Sequence, residues 1–400
     1  MKKPSLHDQP TPAGTNLEHA KYHNRRVVIE TVRLHGTLTR AEIARLTALT
    51  AQTVSNIVSE LQASGMITAH GPVKVGRGQP ATPLTINPDG AYSIGIELDH
   101  QSLIGVLVDL AGKLRGRIAM PVSRPTPAVA MPMIVEVVQQ LRQQVDIDWE
   151  RMLGIGLVMP GPFGVENMSS KGPTTLPGWD NFDVETELQQ LTSLPVLLEN
   201  DANAAAIGER LYGVAKSLNN FAYVFIGTGL GAGLFLNGSL YRGQAKNAGE
   251  IGHMVVMPEG RACYCGNKGC LERYVSLDAA YEILQIPESE QHSPDILLQN
   301  PQAFDEWLKI AVPALRQGIN IIESMLDIES IVLGGFLPAP LLERLIAALD
   351  PLPVSIRSDY AASNRLRVGV TGTDTAALGA AALPIFDEFN PRYDVLLKAN

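Results

Sequence analysis

Phe221-Ala-Tyr-Val-Phe-Ile-Gly-Thr-Gly-Leu-Gly-Ala-Gly-Leu-Phe-Leu-Asn-Gly-Ser-Leu-Tyr241 is the run whose reading decides the fold. Phe221–Ile226 and Ala232–Leu236 are short apolar runs of strand type, and Ser239–Tyr241 is a third. Asn237-Gly238 between the last two is a tight hairpin signal, because both residues accept positive φ. The run therefore reads as a three-stranded meander. A coarse counterpart lies upstream in Ser93–Leu98, Leu103–Asp109 and Lys113–Pro121, with Ala111-Gly112 as a turn. Each meander is followed by a helical pattern and a buried strand. These are Met131–Val145 with Leu153–Met159, and a helix near Pro313–Met325 with Ser330–Leu333. Two such lobes make an α/β protein with a ligand cleft between them.

Two glycine-rich turns belong to this frame. Ile226–Gly233 can bring backbone N–H groups against a phosphate, but hairpins are often glycine-rich without one. Leu333-Gly-Gly-Phe-Leu337 is equally ambiguous. Glu199-Asn200-Asp201-Ala-Asn203 follows the apolar run Leu194–Leu198, at a strand end where cleft residues of α/β folds gather. Asp201 there can accept a proton from a bound hydroxyl, or the cluster can simply cap a helix.

All three cysteines of the chain, Cys263, Cys265 and Cys270, fall in Gly260-Arg-Ala-Cys-Tyr-Cys-Gly-Asn-Lys-Gly-Cys-Leu-Glu272, with His253 upstream. One imidazole and three thiols suit zinc, and four protein ligands leave no open position. The expectation is a structural Zn2+ held by His253, Cys263, Cys265 and Cys270; three reduced, unliganded cysteines are the alternative. Glu250, His253 and Glu272 bracket the cluster as candidate ligands for something polar.

The N-terminal part has another character. Residues 1–16 are polar and proline-rich and read as a disordered tail. A helical pattern at Tyr22–His35 ends at Gly36. Thr39-Arg-Ala-Glu42 is a capping box opening a short helix, and Thr47–Thr50 makes a turn. Ala51–Ala63 follows with Val54, Ile57, Val58 and Leu61 at helical spacing. Two short helices around a tight turn read as helix-turn-helix. Met66–His70 and Pro83–Asn87 then form a hairpin with the basic tip Gly71–Pro80, a wing. Residues 1–88 carry ten Lys/Arg against five Asp/Glu, net +5, which leaves −14 for residues 89–400 within the total of −9. A basic head on an acidic body points to a head that meets a polyanion. A helix-turn-helix used for protein contact is the competing use.

Composition excludes other classes. Hydrophobic content of 45% with 18% charged residues describes a globular protein, and no apolar run reaches bilayer length. Met1–Pro10 holds no apolar signal core, so a cytoplasmic location and no membrane partner are expected.

Together these residues resemble the ROK family, which groups bacterial sugar-responsive repressors with sugar kinases. The resemblance runs from about Leu17 to Ala382. It is carried by Ala248-Gly-Glu-Ile-Gly-His253 leading into Cys263–Glu272, by Gly156-Leu-Val-Met-Pro-Gly-Pro162, Leu176-Pro-Gly-Trp179, Glu199–Asn203 and Ile331-Val-Leu-Gly-Gly335. In the head, Gly76-Arg-Gly-Gln-Pro80 resembles the wing of the repressor branch. The resemblance implies that Asn200, Asp201, Glu250, His253 and Glu272 face a sugar, with Thr175 and Gly161 near further sugar-side positions. It also implies that the residue at Asp201 is the kinases' base. The kinases open their first lobe with a strand ending Asp-x-Gly-Gly-Thr around the nucleotide phosphates. Here Glu97-Leu-Asp-His-Gln101 stands in its place, without the glycines and with added negative charge at Asp99.

The resulting expectation is a two-lobed actin-like (RNase H-like) sugar-kinase fold preceded by a winged helix-turn-helix. The expected parts are a tail at 1–16, a DNA-binding domain at 17–88, a first lobe at 89–200 completed by about 371–390, and a second lobe at 201–370 with the zinc loop. The expected function is a sugar-responsive transcriptional regulator, a repressor rather than an enzyme, acting as a homo-oligomer (dimer or dimer of dimers) on a double-stranded DNA operator. Gln52, Thr53, Ser55 and Asn56 are candidate base or phosphate contacts, Arg77 a minor-groove contact, and Arg25, Arg26, Arg40 and Lys74 phosphate contacts. The alternative is an ATP-dependent hexose kinase carrying a DNA-binding head.

Overall fold

The computed structural model describes residues 17–73, 80–160, 176–179, 182–287, 290–291, 293–355 and 365–391. The chain divides into a smaller unit, Met1–Ala91 with Asp387–Asn400, and a larger unit, Tyr92–Phe386.

The smaller unit is built on α1 (Leu17–His35), α2 (Arg40–Thr47) and α3 (Ala51–Ala63). Thr39 and Glu42 form the expected capping box at α2, and Thr50 caps α3 by accepting the Thr53 N–H. Between the two helices Ala48 adopts the left-handed conformation at φ 57°, which makes the turn tight. Val54, Ile57, Val58 and Leu61 of α3 are all buried, as are Val28 and Val32 of α1 and Ile43 of α2. Strands β1 (Ile67–Ala69) and β2 (Leu84–Ile86) pair antiparallel, Ile67 opposite Ile86. Leu38 exchanges two backbone hydrogen bonds with Leu84 and extends this small sheet.

One sequence expectation fails here. Arg26 is 8% exposed, not available to a phosphate. Its guanidinium donates to the Asp387 carbonyl at 2.9 Å and the Asn390 carbonyl at 3.2 Å, and it lies over the Tyr22 ring. Those carbonyls lie at the end of the helix Thr375–Phe389, where an arginine satisfies acceptors that have no partner along the helix.

The larger unit contains two five-stranded sheets of the same design. The first has the order β5-β4-β3-β6-β7, from β3 (Tyr92–Leu98), β4 (Ser102–Asp109), β5 (Leu114–Pro121), β6 (Met152–Val158) and β7 (Val196–Glu199). The second has the order β10-β9-β8-β11-β12, from β8 (Phe221–Ile226), β9 (Leu230–Leu236), β10 (Ser239–Leu240), β11 (Ser330–Gly335) and β12 (Leu366–Thr371). In each, three antiparallel strands are the meander read from sequence and two parallel strands extend it. Each sheet has its own core. The first packs α4 (Pro127–Gln144) and α5 (Val184–Thr192) through Ile134, Val137, Leu141 and Leu188. The second packs α7 (Glu272–Val275), α8 (Leu277–Ile283), α9 (Ile296–Gln299), α10 (Pro301–Leu326) and α11 (Ala339–Ala348) around Phe304, Trp307 and Leu342.

Helix α10 starts at Pro301, twelve residues before the proline at which sequence reading placed it, and runs through Pro313. An interior proline costs about 3 kcal/mol. Buried Phe304, Trp307, Ala311, Leu315, Ile319 and Ile322 along one face outweigh that.

Two small-residue helices bring the lobes' chemistry together. Helix α6 (Asp201–Leu211) lies on β9, where a Cβ on Gly233 would stand 2.4 Å from the Ala206 Cβ. Helix α12 (Thr375–Phe389) lies on the first sheet, where a Cβ on Gly156 would stand 1.9 Å from the Ala380 carbonyl oxygen. The two helices touch at Gly208 and Gly379. Absent side chains thus set how closely backbone packs on backbone.

Candidate functional site

Parallel register aligns Glu97 with Val158 and Val158 with Glu199, so the carboxyl ends of β3, β6 and β7 share one edge. Asn200 and Asp201 follow directly. Asn200 is the N-cap of α6, its Oδ1 accepting the Asn203 N–H at 2.7 Å. The capping and cleft readings of this cluster are therefore compatible, since the cap fixes Asp201 in the first turn. Glu199 accepts from Asn200 N, Asn203 Nδ2 and Arg242, a cationic partner that sequence reading missed. Partial burial pushes the Asp201 carboxyl up to about 6, opposed by the Ala202 N–H and reinforced by the negative Asp99 and Glu250.

Glu97 is 3% exposed and its Oε2 has no hydrogen-bond partner. Burial first, then the Asp99 and Asp201 carboxylates, hold its pKa well above the usual carboxylate range, although the Ala377 N–H of α12 donates to it. A side chain therefore stands at the end of β3, with the Asp99 and Asp201 carboxylates near it and the Arg117–Asp374 ion pair within electrostatic reach.

The other sugar-side candidates come from the segment between Gly249 and Glu272. Gly249 accepts the Ala232 N–H at 2.8 Å, and a single 3-10 turn, Ile251–His253, places His253 beside Glu250. Glu272 is 7% exposed, and its Oε2 accepts the Leu230 N–H at 3.0 Å. Asp201, Glu250, His253 and Glu272 are thus all tied to β9 or to the helix packed on it. Gly161 and Thr175 lie outside the described residues.

The four metal candidates do come together. The ligand atoms of His253, Cys263, Cys265 and Cys270 all lie within 4.8 Å of one another. His253 Nδ1 is 3.7 Å from Cys263 Sγ, and Cys265 Sγ is 3.6 Å from Cys270 Sγ. A zinc–sulfur bond of about 2.3 Å gives a tetrahedron with edges of about 3.8 Å, so the donor set fits a tetrahedral ion. Burial pushes the neutral Cys270 thiol up to about 12, and a bound cation is what would favour its thiolate. Gly266 at φ +93° and Gly269 at φ +77° supply the turns that fold the loop onto itself.

In the smaller unit, Gln52 and Asn56 are exposed one turn apart on α3 and hydrogen-bond to each other at 3.0 Å. Thr53 and Ser55 are partly exposed, and the Thr53 hydroxyl is paired with Thr50. Arg40 is partly exposed and donates to Gln62. Lys74 and Arg77 lie outside the described residues.

The profile described as ROK family matches residues 93–385. The xylose repressor of Bacillus subtilis (strain 168) is 30% identical over 274 residues, 68% of this chain and 71% of the relative. The crystal structure of a ROK family transcriptional regulator, a homologue of the E. coli MLC protein, superposes with a TM-score of 0.69 at 23% identity, over 93% of this chain and 98% of the other. The ROK hexokinase of Thermus thermophilus superposes with a TM-score of 0.58 at 27% identity, over 74% of this chain and 99% of that enzyme. At 93% of the chain, the fold shared with the first of these structures takes in part of the smaller unit as well as the larger one.

Proposed function

The chain belongs to the ROK family, and on that premise we propose that it is a sugar-responsive DNA-binding repressor. Its kinase-like body takes a sugar between Asn200, Asp201, Glu250, His253 and Glu272, with Gly161 and Thr175 contributing. A Zn2+ on His253, Cys263, Cys265 and Cys270 is structural and fixes the wall that carries Glu250 and Glu272. Residues 17–88 act as a winged helix-turn-helix, with Gln52, Thr53, Ser55 and Asn56 in the major groove, Arg77 in the minor groove, and Arg40 and Lys74 on phosphates. Two heads of a homo-oligomer read a two-fold operator in the cytoplasm. Among the described residues no helix is long and apolar enough to cross a membrane.

One observation carries this reading over that of an enzyme: the buried Glu97 carboxyl, with Oε2 left without a partner, beside Asp99 at the end of β3. A nucleotide phosphate needs backbone N–H groups and room at such a place, and it finds a buried carboxyl with Asp99 and Asp201 near it. Sugar bound in the body shifts DNA affinity by its preference for one arrangement of the heads.

The test is a gel shift on the DNA flanking the gene, repeated with free and phosphorylated sugars. A shifted band whose midpoint moves with one sugar is expected; no band with any flanking fragment would retire the proposal. The kinase reading draws on Asp201, whose pKa near 6 suits a base, and on the intact Gly227–Gly229 turn between β8 and β9. A coupled assay of ADP release over a hexose panel separates the two. Turnover at about 1–100 s⁻¹ that is lost in Asp201→Ala would make it an enzyme.

A further inference from the structure

The geometry points to Arg242 as a positioning residue of the sugar site, a clasp that holds its two sides at one spacing. This deepens the sugar reading above and rests on it. Glu199 ends β7 in the first sheet, and Asn200 and Asp201 follow it. Arg242 comes just after β10 in the second sheet, a short loop before Gly249 and Glu250. Its Nε donates to Glu199 Oε2 at 2.9 Å, and its Nη2 lies 2.9 Å from the same oxygen. Two residues 43 positions apart in the chain thus join the end of one sheet to the edge of the other.

Each end of the clasp is fixed to site residues. Glu199 uses its other oxygen, Oε1, for the Asn200 N–H at 3.1 Å and the Asn203 Nδ2 at 3.0 Å. Asn203 is 1% exposed, and its backbone N–H donates to Asn200 Oδ1 at 2.7 Å. The carboxylate therefore sets the orientation of the turn that presents Asn200 and Asp201. With Oδ1 committed to the cap, the Asn200 amide meets a ligand as a donor through Nδ2. At the other end, the Arg242 carbonyl accepts the Ala248 N–H at 3.0 Å and closes the loop that leads into Gly249. The Gly249 carbonyl is in turn tied to β9, and Glu250 and His253 stand just beyond. A guanidinium is planar and donates through two nitrogens, so it fixes direction as well as distance, whereas an ammonium supplies charge alone. The Arg242 side chain is 43% exposed and that of Glu199 12%. Exposed ion pairs add little to global stability, so this one is felt at the site rather than in the melting of the chain. A sugar that bonds to both sides at once is spared the cost of ordering them, because the clasp has already set the distance between them.

The experiment uses the full-length, zinc-loaded chain with Arg242→Met, Arg242→Lys, Glu199→Gln and the Arg242→Met/Glu199→Gln double variant. Isothermal titration with D-xylose, D-glucose and N-acetyl-D-glucosamine reads sugar affinity, with zinc content, melting temperature and sugar-free operator binding measured alongside. Arg242→Met is expected to keep zinc, melting temperature and operator affinity and to bind the parent's sugar about tenfold more weakly. Arg242→Lys should recover part of that loss, to within about threefold of the parent. The double variant should bind no more weakly than the weaker single variant, because the second change removes a partner already lost. An arginine that touched the sugar itself would give additive losses. A pair that served folding alone would lower the melting temperature and leave the sugar affinity of the folded protein as it was. Affinity of Arg242→Met within about twofold of the parent, additive losses in the double variant, a lysine no better than methionine, or loss of zinc or fold in both Arg242 variants overturns the assignment. A parent that binds none of the three sugars sinks the sugar reading and this inference with it. A parent that binds and variants that match it sink the inference alone.

Discussion

Asp201 carries opposite obligations. Its pKa of about 6 lies above the free value of 3.8, so ionisation costs stability as pH rises from about 4 through 6, and under the proposed function the charged form is the one that would accept a sugar hydroxyl. Sugar affinity should therefore fall about tenfold between about pH 7 and pH 5 as the carboxylate takes up its proton. Asp201→Asn should bind poorly at both values and yet melt higher than the parent at about pH 7, the gain fading by pH 4. Paired calorimetric titrations and melting curves read both effects; a variant that melts lower at neutral pH would mean the buried charge is compensated by contacts other than those seen. Asp201 was legible from sequence because its strand-end position and its neighbours Asn200 and Asn203 form a pattern. Arg26 was misread because charge alone does not reveal burial, and its acceptors lie more than 360 residues away. Glu97 was legible as a departure from the family's first loop, but its contact with Ala377 of α12 was not.

At the scale of elements, the strands were readable because apolar runs bounded by Asn-Gly or Ala-Gly turns leave little choice of register. Helices α6 and α12 are different. Ala202, Ala204, Ala205, Ala206 and Gly208 on one, and Ala376–Ala382 on the other, pack by closeness of backbone, which produces no amphipathic period to read. The metal loop was legible from its three thiols, and Glu272 from its place bracketing them, while its bond to the Leu230 N–H was not. That loop makes a prediction at its own scale. Cys265→Ser removes one of four ligands from a cluster whose ligand atoms lie within 4.8 Å of one another, and a hydroxyl is a poor replacement for a thiolate. Zinc content measured by atomic absorption should drop from about one per chain to near zero. Under the proposed function sugar affinity should fall at least about tenfold, because Glu250, His253 and Glu272 share the frame a bound ion would fix. Unchanged sugar affinity in zinc-free protein would uncouple the two sites.

For the whole molecule, the charge distribution sets the strongest constraint. Residues 1–88 carry +5 and residues 89–400 carry −14, so any DNA contact is local to the head and opposed by the rest of the chain. Binding through phosphates releases counterions, and log K falls against log salt by about 0.9 for each phosphate neutralised. Four phosphate contacts over two heads imply a slope near −4, or about a hundredfold loss of affinity between 50 and 200 mM salt. Arg40→Ala, present once in each head, should flatten that slope by about two units in a dimer and weaken binding to all sequences alike. Gln52→Ala, exposed on α3, should instead reduce discrimination between operator and competitor with the slope unchanged. Fluorescence anisotropy across a salt series separates the outcomes. A flat salt dependence would mean that the basic head meets a protein, and the proposed sugar site would then regulate an assembly rather than a promoter.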